Sequence, residues 1–208
     1  MSNPERVEVA FDDNGLVACI VQDADTGEVL TLAYMNEESL GLTEQTSEVH
    51  FFSRSRQELW RKGETSGNVL RVRQLRVDCD GDALLALVEP AGPACHTGER
   101  SCFYRELQTG ESPEPVTEEA LAVLARTLTA RVGERPEGSY TVELLENPEL
   151  AGAKVMEEAE EVTRAVREES DARVVSEAAD MLYHLTVLLK SRDIGLEQAM
   201  EVLNGRRS

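Results

Sequence analysis

The chain has 208 residues and a formal charge of −19, from 40 acidic against 21 basic side chains. Such a surface repels nucleic-acid phosphates, so no nucleic-acid partner is expected. No apolar run reaches bilayer-spanning length and the N-terminus is polar and acidic, so no membrane partner and a cytoplasmic location are expected.

The length allows two small domains, each with its own core. The charge is spread evenly, −9 over residues 1–107 and −10 over 108–208, so it is not an acidic tail. Lysine occurs only at Lys62, Lys154 and Lys190, while arginine is abundant.

Short apolar or alternating runs predict strands at 7–11, 16–22, 29–34, 49–53, 70–77, 84–88 and 103–107. Turn signals at Asp13-Asn14-Gly15 and Thr26-Gly27 separate the first of them. Asn36 is placed to cap a helix running to about Gln45. Residues 109–115 are rich in Pro, Gly, Ser and Glu, which predicts a linker between a domain at 1–108 and one at 116–208. Beyond it, Thr117 is placed to cap a helix to about Val132, followed by a loop with Pro136 and Gly138. Helices are then predicted at about 149–169, 171–191 and 196–203. The expected fold is an α+β, β-rich domain followed by an all-α helical bundle.

Within the first domain, Val77-Asp78-Cys79-Asp80-Gly81-Asp82 sets three carboxylates at i, i+2 and i+4 around one cysteine. Cys95 and Cys102 follow 16 and 23 positions after Cys79. Thiolates select zinc, and carboxylates select magnesium or calcium. If the stretch is extended, Asp78, Asp80 and Asp82 face one way and Cys79 the other, which argues for two separate metal sites. Spacings of 16 and 7 are not those of a zinc finger, and three thiolates leave one zinc position open for chemistry. Cys19, inside an apolar run, reads as a small buried hydrophobe.

Just upstream, Ser53-Arg54-Ser55-Arg56 and Trp60-Arg61-Lys62-Gly63-Glu64-Thr65-Ser66-Gly67-Asn68 group glycines, hydroxyls and cations. That composition suits phosphate binding through backbone amides and charge-assisted hydrogen bonds. With Gly92-Pro93-Ala94-Cys95-His96-Thr97-Gly98 and Ser101-Cys102-Phe103, these motifs resemble phosphoribosyl-AMP cyclohydrolase of histidine biosynthesis. The resemblance implies a homodimer with one zinc per subunit, held by Cys95 and Cys102 with Cys79 of the partner subunit. It implies magnesium at Asp78, Asp80 and Asp82, and substrate contacts from Arg54, Arg56, Trp60, Lys62, Gly63, Ser66 and Gly67. The implied reaction opens an adenine ring between nitrogen 1 and carbon 6 with water activated by zinc. His96, beside Cys95, is then the candidate for proton transfer, or else an orienting neighbour. His50, in a predicted strand, reads as structural.

The second domain carries Glu157-Glu158-Ala159-Glu160-Glu161 and Glu177-Ala178-Ala179-Asp180. On helices, Glu157, Glu158 and Glu161 share one face, and Glu177 and Asp180 share another. Like charges so placed repel, and a bound divalent cation reverses that penalty. The alternative is a solvated acidic face, but Val155, Met156, Ala159, Val162, Ala165 and Val166 border the acids rather than opposing them. Together with Ser139-Tyr140-Thr141 and Lys154, these residues resemble phosphoribosyl-ATP pyrophosphohydrolase, an all-α relative of the MazG-type pyrophosphatases. The resemblance implies magnesium at Glu157, Glu158, Glu161, Glu177 and Asp180, with Glu158 and Glu161 central to catalysis and Lys154 on phosphate. His184 reads as packing.

The sequence thus points to a bifunctional hydrolase acting on small nucleotides. Two rivals stand beside it. A general nucleoside triphosphate pyrophosphatase with a structural zinc domain would hydrolyse ordinary triphosphates. A non-enzymatic interaction module would tolerate neutralised carboxylates.

Overall fold

Alternation decides the first sheet. In β1 (Val17–Asp23) the side chains of Val17, Cys19, Val21 and Asp23 turn inward, and in β6 (Ala83–Pro90) those of Leu84, Ala86 and Val88 do. The computed structural model describes residues 7–113 and 117–206, and the chain divides into two compact units, Met1–Glu114 and Pro115–Ser208.

In the first unit, β2 (Val29–Met35), β1, β6 and β5 (Leu70–Val77) form a four-stranded sheet in that order. β1 runs antiparallel to β2 and parallel to β6, and β6 runs antiparallel to β5. Between β2 and β5 the chain makes α1 (Glu37–Thr46) and a two-stranded ribbon, β3 (His50–Ser53) with β4 (Glu58–Arg61). Asn36 caps α1 as expected: its side chain accepts from Ser39 N at 2.8 Å, and Asn36 N donates to Ser39 Oγ at 2.9 Å. Leu30, Met35, Leu40, Val49, Phe51 and Leu70 fill the core with the inward face of β1 and β6.

The second unit opens with a 3-10 turn, Thr117–Glu119, then α2 (Ala120–Glu134), α3 (Tyr140–Glu146), α4 (Pro148–Glu168), α5 (Asp171–Lys190) and α6 (Leu196–Gly205). Asn147 and Ser170 cap α4 and α5, accepting from Leu150 N and Arg173 N. The core is small: Leu128, Leu144, Ala151 and Val187. Met156, Val166 and Val175 stay 64%, 66% and 68% exposed on the long pair α4 and α5.

Four expectations change. Residues 7–11 and 103–107 are not strands: the first lies along the Gly81 turn, with Ala10 N donating to Gly81 O at 2.8 Å, and the second is turn and bend. β4 is a strand where a loop was expected, because Phe51 and Trp60 face each other across the ribbon. α3 is an additional helix of 7 residues. Finally, α2 starts after a 3-10 turn rather than directly from Thr117. The expected linker lies partly outside the described residues; within them, Gly110 N donates to Glu106 O at 2.8 Å and folds the segment back.

Candidate functional sites in the two units

β5 ends at Val77, so the three aspartates occupy the turn into β6 and not an extended strand. Ala83 N donates to Asp78 Oδ1 at 3.2 Å and Asp78 N to Ala83 O at 3.1 Å, which closes the turn. Gly81 takes φ +85° with its carbonyl against residue 10, a conformation that favours glycine. The turn gathers what alternation was expected to gather: one carboxylate oxygen each of Asp78, Asp80 and Asp82 lies within 4.8 Å of the others, all exposed. Cys79 is not thrown to the opposite side, as strand alternation had it; its Sγ is 3.9 Å from Asp80 Oδ1. The charges of Asp80 and Asp78 push the Asp82 carboxyl above its ordinary value. Desolvation works the same way on Asp78, but the hydrogen bonds it accepts, led by Ala83 N–H, hold it below.

Cys95 and Cys102, in the segment that follows β6, lie near enough to perturb one another. Ala94 N donates to Arg100 O at 2.9 Å and Cys95 N to Glu99 O at 3.0 Å, closing a tight loop. Arg100 buttresses it through Glu28 (2.6 Å) and the buried Asp23. Cys102 N donates to Leu30 O at 2.8 Å, which ties the second thiol to β2. Thr97 Oγ1 donates to Cys95 Sγ at 3.0 Å, and this bond chiefly holds the Cys95 thiol below its ordinary value. Desolvation and the neighbouring Cys95 push Cys102 the other way. Cys79 joins no three-ligand group with them among the described residues. Cys19 is fully buried, its thiol pushed up to about 12 by burial, in keeping with a core role.

A cleft of about 650 Å³ brings the cationic, glycine-rich segment to Cys95; Cys102 is not among its lining residues. Trp60, Lys62, Gly63 and Ser66 line it together with Cys95 and His96. Gly63 has φ +84°, and a Cβ there would sit 2.4 Å from the Asn68 backbone, so the loop closes only on glycine. Gly67 donates its N–H to Gly63 O at 2.8 Å. Arg56 reaches the cleft but pairs with Glu58 at 3.0 Å, and Arg54 lies instead over the Tyr34 ring at 3.8 Å. His96 is exposed, with Nδ1 3.9 Å from Cys95 Sγ. His50 is tied to the backbone, Nδ1 to Glu48 O at 2.8 Å. Thr97 and Asn68 were not singled out by role from sequence; Thr97 is signalled only by standing two residues from Cys95.

In the helical unit, Glu158 and Glu161 of α4 and Glu177 of α5 bring carboxylate oxygens within 4.8 Å of one another. Glu158 and Glu177 are buried. Glu177 Oε1 is ion-paired with Arg173, one turn earlier on α5. Desolvation, opposed by Arg173 and reinforced by Glu161 and Glu158, pushes the Glu177 carboxyl above its ordinary value. Three converging carboxylates, two of them buried, fit a hard divalent cation. Glu157 is exposed and bonded to Lys154 Nζ at 2.7 Å, and Asp180 is exposed outside the three-oxygen group. His184, expected only to pack, is buried with Nδ1 3.5 Å from Glu158 Oε1.

Two hydrolase family models match in tandem, one to each unit: phosphoribosyl-AMP cyclohydrolase over residues 31–104 and phosphoribosyl-ATP pyrophosphohydrolase over residues 121–207. Relatives matched over nearly their whole length are named as bifunctional proteins. The chain is 48% identical over 202 residues to the histidine biosynthesis bifunctional protein HisIE of Bacillus subtilis, covering 97% of this chain and 96% of the relative. It is 48% identical over 199 residues to that of Pyrococcus furiosus, covering 94% and 93%. The chain belongs to the family of bifunctional histidine-biosynthesis proteins that join these two hydrolases.

Proposed function

We infer that the chain performs two consecutive hydrolyses of histidine biosynthesis. The unit at 116–208 converts phosphoribosyl-ATP to phosphoribosyl-AMP and pyrophosphate, and the unit at 1–108 then opens the adenine ring of phosphoribosyl-AMP. The observation that carries this reading is that each unit holds its own constellation: a cleft pairing Lys62 and Gly63 with Cys95 and His96, and three converging glutamates on α4 and α5.

In the first unit Cys95 and Cys102, with Cys79 of the partner subunit, are the zinc ligands, and Asp78, Asp80 and Asp82 hold magnesium. In the second, Glu158, Glu161 and Glu177 hold magnesium, with Glu157 and Asp180 close by in sequence to complete the set. Zinc supplies Lewis acidity that activates water near neutral pH, and magnesium neutralises and orients phosphates. The chain's own groups do the rest. Lys62 and the Ser66 hydroxyl bind a phosphate, Trp60 offers an apolar wall, and His96 moves a proton at the cleft mouth. Lys154, now paired with Glu157, turns to the triphosphate. Homodimerisation is supported by two things: among the described residues Cys79 joins no ligand group with Cys95 and Cys102, and Met156, Val166 and Val175 are left exposed on α4 and α5.

The test is mass spectrometry of products from phosphoribosyl-ATP with magnesium, with and without zinc. Ring-opened product with zinc, and phosphoribosyl-AMP accumulating without it, are expected. Untouched phosphoribosyl-ATP beside hydrolysed ordinary triphosphates would favour the general pyrophosphatase instead.

A further inference from the structure

The Ser139-Tyr140-Thr141 motif has no part in the two sites so far, and His184 was expected only to fill space. The helical unit joins them. His184 Nδ1 lies 3.0 Å from Asp180 O, a carbonyl that can only accept, so Nδ1 carries the ring proton. Nδ1 also lies 3.5 Å from Glu158 Oε1. Nε2 is then the acceptor, and Tyr140 Oη donates to it at 3.4 Å. The ring is held on two further sides: Tyr183 packs edge-on at 5.1 Å between centroids, and Tyr140 at 6.2 Å. Next to Tyr140, Thr141 Oγ1 and Tyr183 Oη are 2.8 Å apart, so two successive residues of α3 clasp α5. The chain of contacts runs from α3 through α5 to the buried carboxylate of Glu158 on α4, and every polar atom of the imidazole is used.

We propose that Tyr140 and His184 form a positioning relay that fixes the Glu158 carboxylate towards Glu161 and Glu177 and so sets the divalent-cation affinity of the helical site. This rests on the assignment of those three glutamates as cation ligands. A carboxylate otherwise repelled by two like charges needs an outside group to hold it in ligating orientation before the cation arrives, and a fixed N–H dipole does this without adding net charge. His184 and Tyr140 are positioning residues; neither need touch substrate.

The experiment is calorimetric titration of Mn²⁺ into the full chain, comparing wild type with His184→Leu, His184→Asn, Tyr140→Phe and Glu158→Gln, each first checked for a wild-type melting transition. Glu158→Gln is expected to remove the helical-site isotherm. His184→Leu should weaken it about 10-fold or more, the usual cost of losing a group that orients a ligand. His184→Asn puts an amide N–H where Nδ1 stood and should bind within about threefold of wild type. Tyr140→Phe removes one oxygen while keeping the ring, and should weaken binding about fivefold, the equivalent of one hydrogen bond. If His184→Leu or Tyr140→Phe binds like wild type while Glu158→Gln does not, the relay is overturned. Equal weakening in Leu and Asn would also overturn it, since the ring's bulk would then be what matters. Unchanged binding in Glu158→Gln overturns the ligand assignment itself, and the relay with it.

Discussion

Glu177 is a position where the fold leaves a side chain little freedom. Its carboxyl is buried on α5 against Glu161 and Glu158, and is pushed above its ordinary value by that burial and those charges. Glu177→Gln removes the repulsion, so the cation-free protein should melt a few degrees higher than wild type in a thermal scan, while the rise in melting temperature on adding magnesium should disappear. Gly63 is a second such position. With φ +84° and no room for a Cβ beside Asn68, Gly63→Ala should destabilise the first unit by about 1–3 kcal/mol in chemical denaturation and slow ring opening, leaving pyrophosphate release at its wild-type rate. Cys19, buried with its thiol near 12, should react with a thiol reagent only after unfolding, as mass spectrometry of labelled protein would show. These residues were unevenly legible. Asp78, Asp80 and Asp82, or Glu158 and Glu161, announce themselves because the donors are close in sequence. Thr97 on Cys95, and Tyr140 on His184, acquire their meaning only from hydrogen bonds that the fold creates.

The elements tell the same story at longer range. α1 was readable because Asn36 and Ser39 make a local capping box, and local signals survive folding. That cap also matters beyond its helix: Thr43 Oγ1 accepts from His50 N at 2.9 Å, so α1 fixes where β3 begins. Asn36→Ala should therefore cost about 1 kcal/mol of first-unit stability, measured by urea denaturation. β5 was found to the residue, whereas 7–11 and 103–107 were misread as strands, since a short apolar run needs an open sheet edge to pair with and these meet turns instead. β4 was hidden by its charges, Glu58 and Arg61, although its register against β3 is set by Phe51 and Trp60. α3 is too short for periodicity to show. What marks it is Pro148 at the start of α4, with Asn147 ending one helix and capping the next.

For the molecule as a whole, the two constellations lie in separate units, and they should fail separately. Cys95→Ser should abolish ring opening and spare pyrophosphate release, and Glu158→Gln should do the reverse, both read from the product spectrum. If the zinc site draws Cys79 of the partner subunit, mixing inactive Cys79→Ser chains with inactive Cys95→Ser chains should restore roughly a quarter of ring-opening activity, since half the dimers are mixed and each has one intact site. Absence of any recovery would leave each site to a single chain. The parallel pairing of Ala18 with Ala83 carries a different consequence, one of timing. The first sheet cannot close until β6 has left the ribosome and found β1 across the whole intervening chain, whereas α4 and α5 meet through a turn of two residues. On refolding from denaturant, the activity of the later domain should return first. The reaction order would then be re-enacted in time: the unit that acts on the first substrate recovers before the unit that consumes its product.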